Sequence, residues 1–132
     1  MAVSGYVERP DYRVDILARR NLVRAWWGDV LLAESDRCLL IDEQDHGLVF
    51  YFPRSSVRFE QLEATDHSTY CPFKGHASYW RPVGDSSTGL AWSYETPFPE
   101  VARLGGCIAF SQDRVRVELG TAPRTVAEAC TP

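Results

Sequence analysis

Apolar and polar residues alternate with a period of two along most of the chain. In residues 12–17, Tyr12, Val14 and Ile16 fall on one face and Arg13 and Asp15 on the other, the mark of a half-buried strand. Residues 22–27 and 30–33 flank Gly28-Asp29, a favoured two-residue hairpin turn. Residues 37–42 read as a strand, Asp45-His46-Gly47 as a turn, and residues 48–52, with Phe50, Tyr51 and Phe52, as the next strand. Pro53-Arg54-Ser55-Ser56 suits a short helical turn, because proline fits the first helical position. Residues 57–62 fit strand or helix equally. Residues 77–83 and 90–94 predict two strands across a loop at 84–89, with Leu90, Trp92 and Tyr94 sharing a face. Residues 107–110 and 114–119 read as a final hairpin around Ser111-Gln112-Asp113. In it Val115, Val117 and Leu119 point inward, and Arg114, Arg116 and Glu118 outward.

Eight to ten short strands and no long helix predict an all-β fold, a sandwich or a closed barrel. At 132 residues the chain is one domain. The pattern divides it into an N-terminal arm (1–11), an all-β domain (12–120) and a C-terminal tail (121–132) with one helical turn at 126–130. A net charge of −4 argues against a nucleic-acid partner, which calls for a basic face. No apolar run approaches the roughly 20 residues of a membrane span. Residues 1–10 lack a basic segment followed by an apolar one, so they do not read as a signal peptide, and a cytoplasmic location is expected.

Composition sharpens the picture at one residue. Thirteen arginines accompany a single lysine, Lys74. Arginine stays charged, whereas a lysine can lose its proton and act as base or nucleophile. Lys74 sits in the densest segment, His67-Ser-Thr-Tyr-Cys71-Pro-Phe-Lys74-Gly75-His76. Pro72 presets a turn over residues 71–74, and Gly75 permits a tight exit. Such a turn brings the Cys71 thiol towards the Lys74 amine, which would lower the thiol pKa; the structural alternative is a demanding turn with an inert cysteine. A Cys71–His67 dyad does not fit a strand, where four residues span about 13 Å. Nor does the spacing of His67, Cys71 and His76 match a zinc site, so no metal or other cofactor is expected. The four cysteines contain no Cys-x-x-Cys; Cys38 and Cys107 lie in apolar runs and read as core residues. Asp42, Glu43, Asp45 and His46 form a polar cluster at a strand end. It is either a solvated turn or the setting in which Glu43 points inward as a general base. Tyr51, Tyr79, Trp80, Trp92 and Tyr94 form either a core or the wall of a pocket.

Taken in order, several segments together resemble the bacterial and fungal family called domain of unknown function 427. They are Gly28-x-x-Leu-Leu-Ala33-Glu-Ser35, Glu43, Phe50-Tyr-Phe-Pro53, Cys71-Pro-Phe-Lys-Gly75-x-Ala-x-Tyr-Trp80, Ala91-Trp-Ser-Tyr94-x-x-Pro97 and Ile108-Ala-Phe110. The resemblance spans roughly residues 12–119 and implies a small all-β protein, a compact β-barrel or a tent-like antiparallel fold. It implies Glu43, Tyr51, Cys71, Lys74, Gly75, Tyr79, Trp92 and Tyr94 as pocket positions. The family is sometimes labelled nucleotidyltransferase. That chemistry needs carboxylates to hold Mg²⁺ against phosphates, and the chain has no Asp-x-Asp or Asp-x-Glu pair and no glycine-rich loop entering a helix.

The residues lead to a small cofactor-independent enzyme acting on an organic molecule. Lys74 and Glu43 would serve as an acid–base pair, with Cys71 nearby and Tyr51, Tyr79, Trp92, Tyr94, Gly75 and His67 around the substrate. Cyclisation, isomerisation, dehydration or hydrolysis would suit such a pair, for instance in secondary metabolism. The alternatives are a non-catalytic module binding a small molecule or peptide in the same pocket, and a thiol-transfer protein working through Cys71. The alternating charges of residues 114–119 discourage edge pairing and favour a monomer or weak dimer.

Overall fold

The computed structural model describes residues 4–123. Ten strands follow one another: β1 (Val14–Ala18), β2 (Asn21–Trp27), β3 (Val30–Ser35), β4 (Leu39–Glu43), β5 (Leu48–Phe52), β6 (Leu62–Cys71), β7 (Gly75–Pro82), β8 (Ala91–Ser93), β9 (Ile108–Phe110) and β10 (Arg116–Pro123). They form two antiparallel sheets. A seven-stranded sheet runs β1-β4-β5-β9-β8-β7-β6, and a three-stranded sheet runs β10-β2-β3. Four short 3-10 segments, at Gly5–Val7, Arg54–Ser56, Phe59–Gln61 and Pro99–Leu104, are the only helical turns among the described residues.

The turns follow local chemistry. Gly28 takes a φ of +61° in the β2–β3 hairpin, where Trp27 pairs with Val30. Asp45, at φ +63°, turns β4 into β5. The Cys71-Pro72-Phe73-Lys74 turn closes with the Lys74 amide donating to the Cys71 carbonyl at 3.2 Å, and Gly75 leaves it at φ +115°.

The large sheet buries both faces. On one, Phe52 (β5), Ala91 (β8) and Ile108 and Phe110 (β9) pack with Val23, Ala25, Leu32 and Ala33 of the small sheet. Ala25 pairs with Ala33, and this small pair leaves room for the Phe52 and Phe110 rings, which meet edge to face at 5.6 Å. Cys38 is buried in this cluster, and burial pushes its thiol up to about 12, so it is a neutral core residue. The second cluster, on the opposite face, includes Ile41, Tyr51, Ala77, Tyr94 and Ala109, with Val101 and Leu104 of the 3-10 segment.

The all-β reading holds, and three expectations are corrected. The sheet is not closed into a barrel: β1 and β6 remain unpaired edges, because a second sheet and the 3-10 segment bury the two faces instead. The predicted final hairpin does not form. β9 is already paired on both sides, with β5 and β8, so β10 crosses to pair with β2. Leu119, expected inside, is 52% exposed because β10 is an edge strand. The ten-residue β6 escapes the periodicity because it is also an edge, rich in polar residues, and its register slips between Ala64 and Ser68. Of the expected tail, β10 takes up residues 121–123; the helical turn at 126–130 lies outside the described residues.

This packing predicts where stability resides. Phe110→Ala should cost about 3–5 kcal/mol in urea unfolding, by loss of burial and creation of a cavity. Leu119→Ala should stay within about 0.5 kcal/mol of wild type.

Candidate functional site

The site is built on the face of the large sheet turned away from the small one. Paired residues put their side chains on the same face, so the registers Leu39–Tyr51, Tyr51–Ala109, Ala109–Trp92 and Trp92–Tyr79 make one continuous row across five strands. Alanine stands at its centre. Over that methyl group the flanking side chains meet, and the Trp92 indole Nε1 donates to the Tyr51 hydroxyl at 3.2 Å. Tyr79 stands 6.3 Å from Trp92, its hydroxyl bonded to Thr69 Oγ1 at 2.9 Å. Tyr51, Trp92 and Tyr79 of this row floor a cavity of about 720 Å³, walled by Ile41, Val49, Tyr70 and Tyr94.

One end of the cavity is polar. Leu39, Ile41 and Glu43 share a face of β4, and Glu43 comes last, where the strand gives out. Lys74 reaches it from the β6–β7 turn. In sheet order β4 and β7 are four spacings apart, about 19 Å if the sheet were flat, which is beyond the joint reach of a lysine and a glutamate. The sheet therefore curls into a trough, and the Lys74 ammonium bridges it to donate to Glu43 Oε1. The Tyr12 hydroxyl donates to Oε2, and His46 Nε2 lies 3.6 Å from that same oxygen. The side chains of Glu43 and Lys74 are each 9% exposed and that of His46 62%, so His46 connects the buried pair to water. The Cys71 thiol is 4.0 Å from Lys74 Nζ, and the Tyr94 ring centroid 6.0 Å from it.

The N-terminal arm holds this end together. The Gly5 amide donates to the Pro72 carbonyl at 2.7 Å, Tyr12 stacks on Phe73 at 3.5 Å, and Tyr6 meets Phe73 edge to face at 5.2 Å. Across the turn, the Phe98 amide donates to the Lys74 carbonyl at 3.1 Å. The arm leads into β1, which pairs with β4, so the Gly5–Pro72 backbone bond and the ring contacts join the two flanks of the trough where no strand ladder does.

The charges follow from these contacts. Burial raises the Glu43 carboxyl, but Lys74, Tyr12 and His46 together outweigh it and hold it below the usual carboxylate range. Burial raises Tyr51 and Tyr94 well above the ordinary phenol value; it does the same for Tyr12, with the Glu43 hydrogen bond adding to the effect. All three stay neutral hydroxyls at physiological pH.

The structure brings Lys74, Glu43 and Cys71 together and lines the cavity with Tyr51, Tyr79, Trp92 and Tyr94. Gly75 has a backbone role: its φ is positive, and a Cβ there would stand 3.6 Å from the Thr96 carbonyl oxygen. His67 rests against the outer side of the row, its ring 4.6 Å from that of Tyr79, and is not among the lining residues. Tyr12 and His46 are two further partners of Glu43 that the sequence pattern does not mark as site residues. The alternation does put Tyr12 on a face with Val14, but only the pairing of Val14 with Glu43 reveals where that face leads.

Among the described residues no group of three or more His, Cys, Asp or Glu side chains is placed to hold a metal ion. No helix among them is long and apolar enough to cross a membrane. None of the curated proteins matches the chain. Residues 15–121, from β1 into β10 and including Glu43, Cys71 and Lys74, match the family described as a domain of unknown function (DUF427), and the chain belongs to that family.

Proposed function

We propose that this protein is a small enzyme that moves a proton on an organic molecule held in the aromatic cavity, with Lys74 and Glu43 as its acid–base pair. The observation that carries this reading is the buried pair at the end of an apolar trough. The two groups share one proton. With the proton on Lys74 they are an ion pair; with it on Glu43 they are a free amine beside a carboxylic acid. Solvation by water favours the first. A bound apolar molecule that displaces water lowers the cost of the second, since taking separated charges out of water is expensive. The amine is then a base and the carboxylic acid a donor, and isomerisation, cyclisation or dehydration needs no further reagent. An arginine in place of Lys74 could not take part, because it keeps its proton.

The cavity size and its rings suit a small molecule. The unpaired Cys38, Cys71 and Cys107 fit a reducing compartment such as the cytoplasm. The charged ladder Glu34–Arg24–Glu118 across the small sheet fits a monomer, since charges on an edge discourage pairing.

Deleting the gene and complementing it tests the reading. Wild type should restore the metabolite profile, and Lys74→Arg should leave a compound accumulating as the deletion does. If Lys74→Arg, shown to be folded, restores the profile fully, the acid–base role is wrong. A deletion without metabolic effect would favour a binding module in the same cavity.

The site also predicts a pH dependence of stability. The folded Glu43 carboxyl lies below its ordinary value of 4.5, so its contribution is complete above that pH and is lost as pH falls through the folded value. Between pH 6 and 3, wild type should therefore lose more unfolding free energy than Glu43→Gln. Equal slopes in urea unfolding would contradict it.

A further inference from the structure

Counting hydrogen bonds in the cavity separates groups that are already engaged from groups that are not. Tyr12 is committed to Glu43, Tyr79 to Thr69, and the Trp92 N–H to Tyr51. Two tyrosine hydroxyls of the floor and wall remain. That of Tyr51 accepts from Trp92, and its own proton goes to no described residue; that of Tyr94 has no hydrogen-bond partner among the described residues. Both residues line the open cavity, where a bound molecule can take up their donors. The aromatic floor and wall thus offer two neutral tyrosine O–H donors.

That combination selects a ligand chemistry. Two donors ask for an oxygen acceptor. The Lys74 and Glu43 charges cancel, so a fully ionised carboxylate or phosphate meets no net positive charge. A neutral carbonyl whose oxygen gains charge only during reaction fits better, because fixed donors then stabilise the charge as it develops. The rings of Tyr51, Trp92 and Tyr79 favour a flat, conjugated molecule.

Resting on the acid–base reading above, we propose that the substrates are planar, enolisable carbonyl compounds. Their carbonyl oxygen is received by the Tyr51 and Tyr94 hydroxyls, and the Lys74–Glu43 pair moves the proton on the neighbouring carbon. The C–H bond breaks and its proton passes to the Lys74 amine, Glu43 holding the proton the two share. The C–H electron pair becomes the new C=C bond, and the carbonyl π pair moves onto oxygen to give an enolate held by the two phenols. Return of the proton to the same carbon exchanges hydrogen; its return to a conjugated carbon isomerises the double bond. No oxidant, reductant or co-reactant enters.

Hydrogen exchange in heavy water tests this with a panel of flat ketones, β-tetralone first, followed by mass spectrometry. β-Naphthol, which mimics the enolate, serves as binding probe by its fluorescence. Wild type should exchange the α-hydrogens faster than buffer and bind β-naphthol. Tyr94→Phe removes a hydroxyl with no partner, so the fold should survive. It should slow exchange roughly 100-fold, the usual effect of losing one such donor. Tyr51→Phe should act similarly, and Lys74→Arg should reduce exchange to background. Exchange that falls in Lys74→Arg but persists in both phenylalanine variants would overturn the two-phenol oxygen site and leave the acid–base reading standing. If wild type exchanges none of the panel and does not bind β-naphthol, the substrate class is wrong, while the complementation experiment still decides the acid–base reading separately.

Discussion

The ion pair between Lys74 and Glu43 is the constraint around which the site is arranged. It joins the end of β4 to the turn that enters β7, across three intervening strands, and the joint requires a curled sheet. Burying two charges costs several kcal/mol each, and their mutual attraction offsets that only where further hydrogen bonds are made. Those bonds are present. Tyr12 donates to the second carboxylate oxygen, and His46 stands beside it at 3.6 Å. Much of the surrounding architecture holds these partners in place. The arm that delivers Tyr12 is anchored on Pro72 and Phe73, in the turn that carries Lys74. One turn thus presents the cation and fastens the segment that solvates its anion.

The same geometry explains how a sheet with free edges encloses a cavity. Strand pairing stops at β1 and β6, but the Gly5–Pro72 backbone bond, the stacked Tyr12 and Phe73 rings and the ion pair draw the two flanks together at one end of the trough. Closure at one end only leaves a cavity where a continuous ladder of paired strands would draw the walls together. Ala109 has a related effect on the floor. A larger residue in the middle of the row would keep Tyr51 and Trp92 apart and fill the space above them.

What the chain reveals by itself follows from which forces are local. Gly28-Asp29 and Cys71-Pro72-Phe73-Lys74 specify their turns from within four residues, and both form. Faces with strict alternation, such as Tyr12-Val14-Ile16, show which side is inward. Lys74 stands out because an arginine-rich chain has one lysine, and the polar cluster and the resemblance both point to Glu43, but only the fold brings the two together. Strand order is not local, and the failures lie there. Nothing in residues 107–119 says that β9 already has two neighbours, so the short turn after it invites a hairpin that has no edge to form on. The edge strand β6 gains its order from β7 and not from a buried face. Tyr12 could be placed on a face but not against Glu43 without the β1–β4 register, and His67 could be placed near the segment but not outside the row.

The apolar floor and the ion pair also bear on each other, which gives the cavity its proposed chemistry. An exposed Lys–Glu pair is a weak contact in water and stays charged whatever binds nearby. Here water reaches the pair through the open cavity and beside His46. A flat molecule seated on Tyr51, Trp92 and Tyr79 removes the first of these routes. The carboxyl is held low because its donors outweigh burial; an occupant adds to burial and leaves the donors in place, so the balance moves towards the uncharged form. Binding and proton transfer are then linked through solvation. The floor that recognises the molecule also brings the amine closer to its basic state.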